Sequence, residues 1–259
     1  MARTQTVADI RRIGQPAAIT GRRSAEHWTA SLYLRRFSPY LTWLLLPTGI
    51  SANGVTVIMI LVGWTAAAAL LIPGLPGAVL AAFLAQLQML VDASDGEVAR
   101  VRATSGARGV FLDKIGHYTT EGLIPITLGL RAAGELRVDN PWAYGGAVLA
   151  VIIVWNKALN DMAEATRYST GLPRQADTDE NVAPASGALA RARSVARFLP
   201  FHRLYHSVEM TLLILVAAVA DVALGGLMAT RLLLIALIPL ALVSTFGHAL
   251  AIMASQRLR

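Results

Sequence analysis

The chain has 259 residues, a formal net charge of +7 and no cysteine. Hydrophobic residues make up 55% of the sequence and charged residues only 15%, well below the roughly 25% typical of soluble domains, and this composition excludes a disordered chain. The lack of cysteine excludes a disulfide framework, a thiolate nucleophile and a cysteine-ligated zinc site. A basic chain this apolar is expected to contact a lipid bilayer and not nucleic acid.

Two segments precede the first apolar run. Residues 1–26 are polar and rich in arginine, and we expect them to form a flexible N-terminal tail. Residues 27–40 mix aromatic side chains, leucines and arginines, which is typical of a helix lying in the membrane interface. The sequence therefore predicts an amphipathic interfacial helix over 27–40.

Six apolar segments follow, each close to the 20 or so residues that a helix needs to cross a bilayer. They cover residues 53–72, 77–98, 109–130, 142–163, 207–224 and 227–254. Glycine and proline mark tight connections at 73–77 and at Gly225 and Gly226. The sequence thus predicts an all-α polytopic membrane protein with six transmembrane helices in one domain, 1–259, whose bundle spans 53–254.

The arginines predict the orientation of this bundle. If the N-terminus is cytoplasmic, the predicted outer side carries only Arg131, Arg137 and Arg231, and the other 18 of the 21 arginines lie on the inner side. Cytoplasmic loops of membrane proteins carry an excess of arginine and lysine. We therefore expect both termini to be cytoplasmic and the protein to lie in the cell inner (cytoplasmic) membrane.

Acidic side chains lie on one face of each of two neighbouring spans. The second span has residues spaced i, i+3, i+4, i+7, namely Asp92, Asp95, Gly96 and Ala99. The third span has residues spaced i, i+4, i+8, i+12, namely Gly109, Asp113, His117 and Glu121. Since a short connection makes these spans antiparallel neighbours, their acidic faces should meet near the cytoplasmic end. Facing carboxylates repel unless a cation lies between them, and Mg²⁺ or Mn²⁺ suits oxygen ligands.

Other interpretations of this cluster are open from the residues alone. The acids could form ion pairs with nearby basic side chains, namely Arg100, Arg102, Arg108 and Lys114. The small residues beside the acids could leave room for a ligand or serve helix packing. The acids could also form the ion site of a divalent cation transporter or channel, although their position near one end of the bundle does not favour it.

Together, the two faces carry a continuous motif. It reads Asp92-x2-Asp95-Gly96-x2-Ala99-Arg100-x8-Gly109-x3-Asp113-x3-His117. This pattern resembles the signature of the CDP-alcohol phosphotransferases, matching seven of its eight positions with every spacing kept. The six-span plan and the short helix before the first span are also similar to that family. The segment 51–56, with Asn53 and Thr56, is similar to the entry of the family's first span, with Ala52 replacing a proline.

The resemblance implies a reaction. A CDP-linked alcohol, usually CDP-diacylglycerol, transfers its phosphoalcohol group to the hydroxyl of a small polar acceptor in phospholipid biosynthesis, and CMP leaves. It implies a homodimer, with Mg²⁺ or Mn²⁺ bound by Asp92, Asp95 and Asp113. The positions it implies for nucleotide binding are Gly96, Ala99, Arg100, Gly109, Asn53 and Thr56.

His117 is the departure from the family pattern, which has aspartate there. That aspartate is regarded as the general base for the acceptor hydroxyl and often also ligates metal. An imidazole has a reference pKa of about 6.5 and can perform either task. We therefore regard His117 as a candidate general base and a candidate metal ligand, beside the alternative that it does neither. Glu121, one turn further on, is a candidate hydrogen-bond acceptor for the other imidazole nitrogen.

Two basic residues are candidates for binding the acceptor. Lys157 lies in the fourth span and Arg203 precedes the fifth. The alternatives are that Lys157 forms an ion pair with Asp161 and that Arg203 anchors the chain at lipid headgroups. A second enzymatic interpretation keeps the chemistry, but with a CDP-activated polyol or aminoalcohol as donor and a lipid or soluble alcohol as acceptor.

Overall fold

The structure, a computed structural model, describes residues 5–16, 33–173, 206–255 and 258. These residues are helical and contain no strand. The helices are α1 (Val7–Gly14), α2 (Arg35–Leu45), α3 (Ala52–Ala69), α4 (Gly74–Val101), α5 (Ala107–Ala133), α6 (Pro141–Ser169), α7 (Ser207–Leu224) and α8 (Met228–Ala254). A 3-10 turn, Leu46–Thr48, follows α2. The all-α prediction is therefore confirmed for the part of the chain that the structure describes.

Five of the described helices are long and apolar enough to cross a membrane, namely α3, α4, α6, α7 and α8. Much of their apolar surface is not covered by protein: only 22% of the most apolar stretch of α8 is buried, and Val243 is 72% exposed. Apolar helix faces of this size are stable in hydrocarbon and not in water. These helices indicate a membrane protein.

The predicted third span, 109–130, lies within α5, but α5 is not among these five helices. Helix α5 carries Asp113, Glu121 and Arg131, and residues of these charged types lower the mean hydropathy of the stretch around them. Six spans therefore stay a prediction.

The N-terminal region differs from its prediction. Residues 7–14 of the predicted flexible tail form α1, which begins with a reciprocal capping box. The backbone N–H of Asp9 donates to Thr6 Oγ1 at 3.2 Å, and the backbone N–H of Thr6 donates to Asp9 Oδ2 at 3.3 Å. These two bonds satisfy amide groups that a helix start otherwise leaves unpaired.

The predicted interfacial helix, 27–40, is also revised. Residues 27–32 lie outside the described part of the chain. The described helix α2 begins only at Arg35 and continues past residue 40 to Leu45. It stops where Pro47 enters the 3-10 turn and Gly49 adopts a left-handed conformation with φ of 75°. Similarly, α4 begins at Gly74, inside the predicted connection 73–77, because its first turn tolerates a proline.

The chain divides into two compact units. The first comprises Met1–Ala69 and Val79–Thr120, and the second comprises Leu70–Ala78 and Glu121–Arg259. The core of the first unit is formed by side chains of α3 and α4, namely Ala52, Val55, Met59, Ile60, Val91 and Val98. This core packs α3 against α4, the helix that carries the first half of the motif.

Helix α1 is attached to α4 in the first unit by polar contacts. The buried carboxylate of Glu97 accepts hydrogen bonds from Gln15 Nε2 at 2.8 Å, from Ser38 Oγ at 2.5 Å and from Thr42 Oγ1 at 2.7 Å. One turn along α4, Arg100 Nε donates to the carbonyl oxygen at the end of α1, Gly14 O, at 2.7 Å. The N-terminal helix thus rests on the helix that carries the motif.

In the second unit, α5 and α6 cross with their backbones in contact. A Cβ added at Gly129 would lie 2.6 Å from Trp142 O, and one added at Gly146 would lie 2.5 Å from Pro125 O. Only glycine permits the two backbones to come this close. Glycine and other small residues are common at the interfaces of membrane helix pairs for this reason.

Gly146→Ala is therefore expected to destabilise the protein, because its methyl group would collide with backbone atoms that cannot rotate away. We expect a loss of about 2 kcal/mol or more, seen as a lower melting temperature in detergent. The matched control is Gly247→Ala in α8, where an added Cβ meets nothing within 4 Å. Equal melting temperatures for the two variants would contradict this account of the crossing.

Arginines fasten the helix ends of the second unit. Arg131 donates to the carbonyl oxygens of Ile72 at 3.2 Å and Gly74 at 2.6 Å. Arg231 Nε donates to Ala132 O at 3.0 Å. In the loop before α6, the hydrogen bond from Arg137 lowers the pKa of the exposed Asp139 below its ordinary value. These arginines, all three that were predicted for the outer side, have local structural partners.

Candidate metal centre

Three side chains of the first unit form a compact cluster. Asp92, Asp113 and His117 each offer one ligand atom, and these atoms all lie within 4.8 Å of one another. His117 Nε2 lies 3.2 Å from Asp92 Oδ1 and 3.3 Å from Asp113 Oδ1. The side chains are partly buried, with exposed fractions of 23% for His117, 22% for Asp92 and 38% for Asp113. The two motif faces therefore meet, as the spacing predicted.

Helix geometry and packing hold this cluster together. Asp113 and His117 are four residues apart, so they lie one above the other on the same face of α5. Between them, Gly116 packs against α3: a Cβ there would lie 2.7 Å from Ile60 Cγ1 and 2.9 Å from Met59 Cε. A glycine at this position lets α5 approach α3 closely.

The predicted metal ligand Asp95 is held by the preceding helix. Thr56 Oγ1 donates to Asp95 Oδ2 at 2.7 Å, and Thr56 itself is buried. Asp95 is not a member of the three-residue cluster described above. Its role as a direct ligand stays a prediction, and so does a nucleotide-binding role for Thr56.

Four of the other predicted nucleotide-binding residues form two close pairs in the same unit. A Cβ added at Gly109 would lie 3.2 Å from Asn53 Oδ1, and one added at Gly96 would lie 3.0 Å from the Nη atoms of Arg100. Ala99 packs against the hydrophobic core. Each small residue thus has a local packing reason, which stands beside the predicted contact with a nucleotide.

Two of the arginines considered as ion-pair partners bind backbone carbonyls. Arg100 Nε donates to Gly14 O. Arg102 donates to Leu46 O at 2.9 Å and to Ile50 O. These bonds direct Arg100 Nε and the Arg102 guanidinium to structural acceptors. The ion-pair interpretation of the acidic residues stays a prediction.

The second unit contains a separate polar cluster around Glu121. This carboxylate is 4% exposed, and its Oε1 accepts a bond from Lys157 Nζ at 3.1 Å and lies 3.2 Å from His206 Nδ1. Glu121 was predicted as a hydrogen-bond acceptor for His117, and these contacts give its Oε1 different partners. Arg203, the other candidate for the acceptor, lies outside the described residues.

Sequence reasoning missed several polar contacts. Glu97 falls at an unspecified position of the motif, and its partners Gln15, Ser38 and Thr42 come from distant segments, so no spacing pattern could have found them. The pairing of Lys157 with Glu121 was detectable only as two charges in apolar segments.

The donor set of the cluster fits a divalent cation. Two carboxylate oxygens and one imidazole nitrogen are ligands that divalent metals accept in proteins. Their separations of 3.2 and 3.3 Å are near the ~3 Å expected between adjacent ligands around an ion with bonds of about 2.1 Å. Asp92, Asp113 and His117 could therefore hold one ion, which would supply positive charge for a phosphoryl or diphosphate group.

Comparison with known protein families and curated proteins adds no evidence about this site. No known protein family matches the chain, and no curated protein matches it.

Proposed function

We propose that this protein is an integral membrane CDP-alcohol phosphotransferase. The observation that carries the proposal is that Asp92, Asp113 and His117, which lie at the motif's spacing, have ligand atoms within 4.8 Å of one another. Random intramembrane charges would not combine this spacing with this convergence. The homodimer implied by the resemblance, and the inner-membrane location and cytoplasmic termini predicted from the arginines, are part of the same proposal.

In the proposed reaction, the acceptor hydroxyl attacks the phosphorus that carries the donor alcohol, and the bond from this phosphorus to CMP breaks. The acceptor loses one proton, and the products are the new phosphodiester and CMP. Asp92, Asp113 and His117 would hold a divalent ion, which would supply positive charge to neutralise the diphosphate. Asp113 has the most exposed side chain of the three, whereas His117 Nε2 faces both carboxylates. We therefore propose that the Asp113 carboxylate, in place of His117, receives the proton of the acceptor.

For the donor we propose CDP-diacylglycerol, because the apolar helices provide a lipid environment for its acyl chains. For the acceptor we propose a small polar alcohol. Lys157 is ion-paired with Glu121, so its charge is largely offset before any acceptor binds. This pairing disfavours Lys157 as the sole anchor of a phosphorylated acceptor.

The proposal is tested by CMP release from purified protein in lipid nanodiscs. The assay contains CDP-diacylglycerol, Mg²⁺ or Mn²⁺, and in turn glycerol 3-phosphate, inositol, inositol 1-phosphate, serine or a simple polyol. We expect CMP release with one acceptor and none without metal. Release only with a CDP-activated polyol or aminoalcohol would favour the second enzymatic interpretation. Divalent-ion uptake into proteoliposomes without CMP release from any donor would favour a transporter and refute the enzyme.

A further inference from the structure

We propose that this site selects a first-row transition ion, such as Mn²⁺, Co²⁺ or Zn²⁺, over Mg²⁺, because His117 places an imidazole nitrogen among its ligands. The inference rests on the proposed function only in that a divalent ion is bound at Asp92 and Asp113. It concerns which ion that is, and it does not depend on the identity of donor or acceptor.

The position of Nε2 carries the first step. This atom lies at 3.2 Å from Asp92 Oδ1 and 3.3 Å from Asp113 Oδ1, so it faces both carboxylates at once. A histidine that only filled space, or only faced an approaching substrate, would not need contacts with both acids. An ion bound between the two carboxylates would therefore also lie within bonding distance of Nε2.

The chemistry of the donor atoms carries the second step. Mg²⁺ is a hard ion that prefers oxygen ligands and gains little from imidazole. Affinity for sites with nitrogen donors rises from Mn²⁺ through Co²⁺ to Cu²⁺, and Zn²⁺ also binds imidazole well. A neutral imidazole in place of a carboxylate removes one negative charge, which weakens the attraction for every divalent ion alike. Only ions that form a strong bond to nitrogen regain this lost binding free energy. The ratio of the affinity for such ions to the affinity for Mg²⁺ therefore rises.

The neighbouring carboxylate supports the same conclusion. Asp95 accepts a hydrogen bond from Thr56, which directs one of its oxygens to α3. Counting one ligand atom from each of the three residues, the cluster offers two oxygens and one nitrogen. The imidazole is thus one of the three protein groups that face the ion site.

The test compares metal binding by the wild-type protein and His117→Asp, which restores an all-carboxylate set. Both proteins are purified in nanodiscs without substrate, and Mn²⁺ and Mg²⁺ affinities are measured by titration and by competition. We expect the wild type to prefer Mn²⁺ over Mg²⁺ by a ratio at least about tenfold larger than that of His117→Asp. Pulsed electron paramagnetic resonance of bound Mn²⁺ should show coupling to a ¹⁴N nucleus in the wild type and none in His117→Asp.

His248→Asn is the matched control, because it removes a histidine in the second unit and should leave the affinity ratio and the nitrogen coupling unchanged. A wild type that binds Mn²⁺ without nitrogen coupling, and with the same ratio as His117→Asp, would overturn this inference while leaving the proposed enzyme intact. A wild type that binds no divalent ion would overturn both. If His117→Asp does not give a monodisperse protein, the ¹⁴N coupling of Mn²⁺ bound to the wild type decides the question: its presence supports the inference and its absence overturns it.

Discussion

Replacing Asp113 by alanine is expected to abolish CMP release, with a fall in rate of about 10³-fold or more. Asp113 contributes an oxygen that converges with Asp92 and with His117 Nε2, and in the proposed reaction it also receives the proton of the acceptor. Its loss therefore removes one ligand of the ion and the proton acceptor together. The measurement is the initial rate of CMP release at saturating CDP-diacylglycerol over a range of Mn²⁺ concentrations.

Asp113→Asn separates the two contributions, because the amide keeps a neutral oxygen ligand but cannot act as a base near neutral pH. We expect added Mn²⁺ to restore ion binding in this variant without restoring the rate. The matched control is Asp139→Ala, which removes an exposed carboxylate in the loop before α6 and should leave the rate unchanged. Full activity of Asp113→Ala would refute the proposed active site.

The second large effect is expected on stability. Glu97→Ala should lower the free energy of unfolding by about 3 to 5 kcal/mol, because two buried hydroxyl donors and one partly buried amide donor lose this acceptor and a cavity forms. These donors are Gln15 Nε2, Ser38 Oγ and Thr42 Oγ1. The measurement is reversible unfolding in mixed micelles, followed by circular dichroism.

Glu97→Gln tests whether the hydrogen bonds or the volume matter. Glutamine has nearly the same volume and keeps an oxygen that Gln15 and Ser38 can reach, while its amide can donate to the hydroxyl of Thr42. We expect it to retain most of the stability that Glu97→Ala loses. A Glu97→Ala variant as stable as the wild type would show that these contacts do not hold α1 and α2 in place.

The candidate site was largely readable from the sequence because helices have a fixed repeat. Four-residue spacing puts Asp113 and His117 on one face whatever surrounds them, and a short connection forces the two acidic faces to be neighbours. The apolar runs likewise predicted where the long helices lie, with α7 matching its predicted range of 207–224 and α8 beginning one residue later than predicted.

Other features depend on partners that are distant in the sequence. In the sequence, Glu97 looks like an isolated charge. In the folded protein it accepts a hydrogen bond from Gln15, which lies 82 residues away in the chain. Helix α1 has only eight residues and lies in a segment that was predicted to be a flexible tail. Its capping box at Thr6 and Asp9 was a local signal that sequence reasoning did not use. The ion pair of Glu121 with Lys157 could not be predicted, because the sequence offers several charged partners for Glu121. The packing of the helices determines which of them it contacts.

The attachment of α1 to α4 has a consequence for how the protein is made. Helix α1 is synthesised before α4, and its acceptor Glu97 follows Gln15 by 82 residues. At a synthesis rate of about 5–20 residues per second, this is an interval of roughly 4 to 16 seconds. During that time the N-terminal segment has no native partner on α4. Helix α1 thus gains these contacts only after α4 has been synthesised, and a factor that binds nascent membrane proteins has a defined interval in which to bind it.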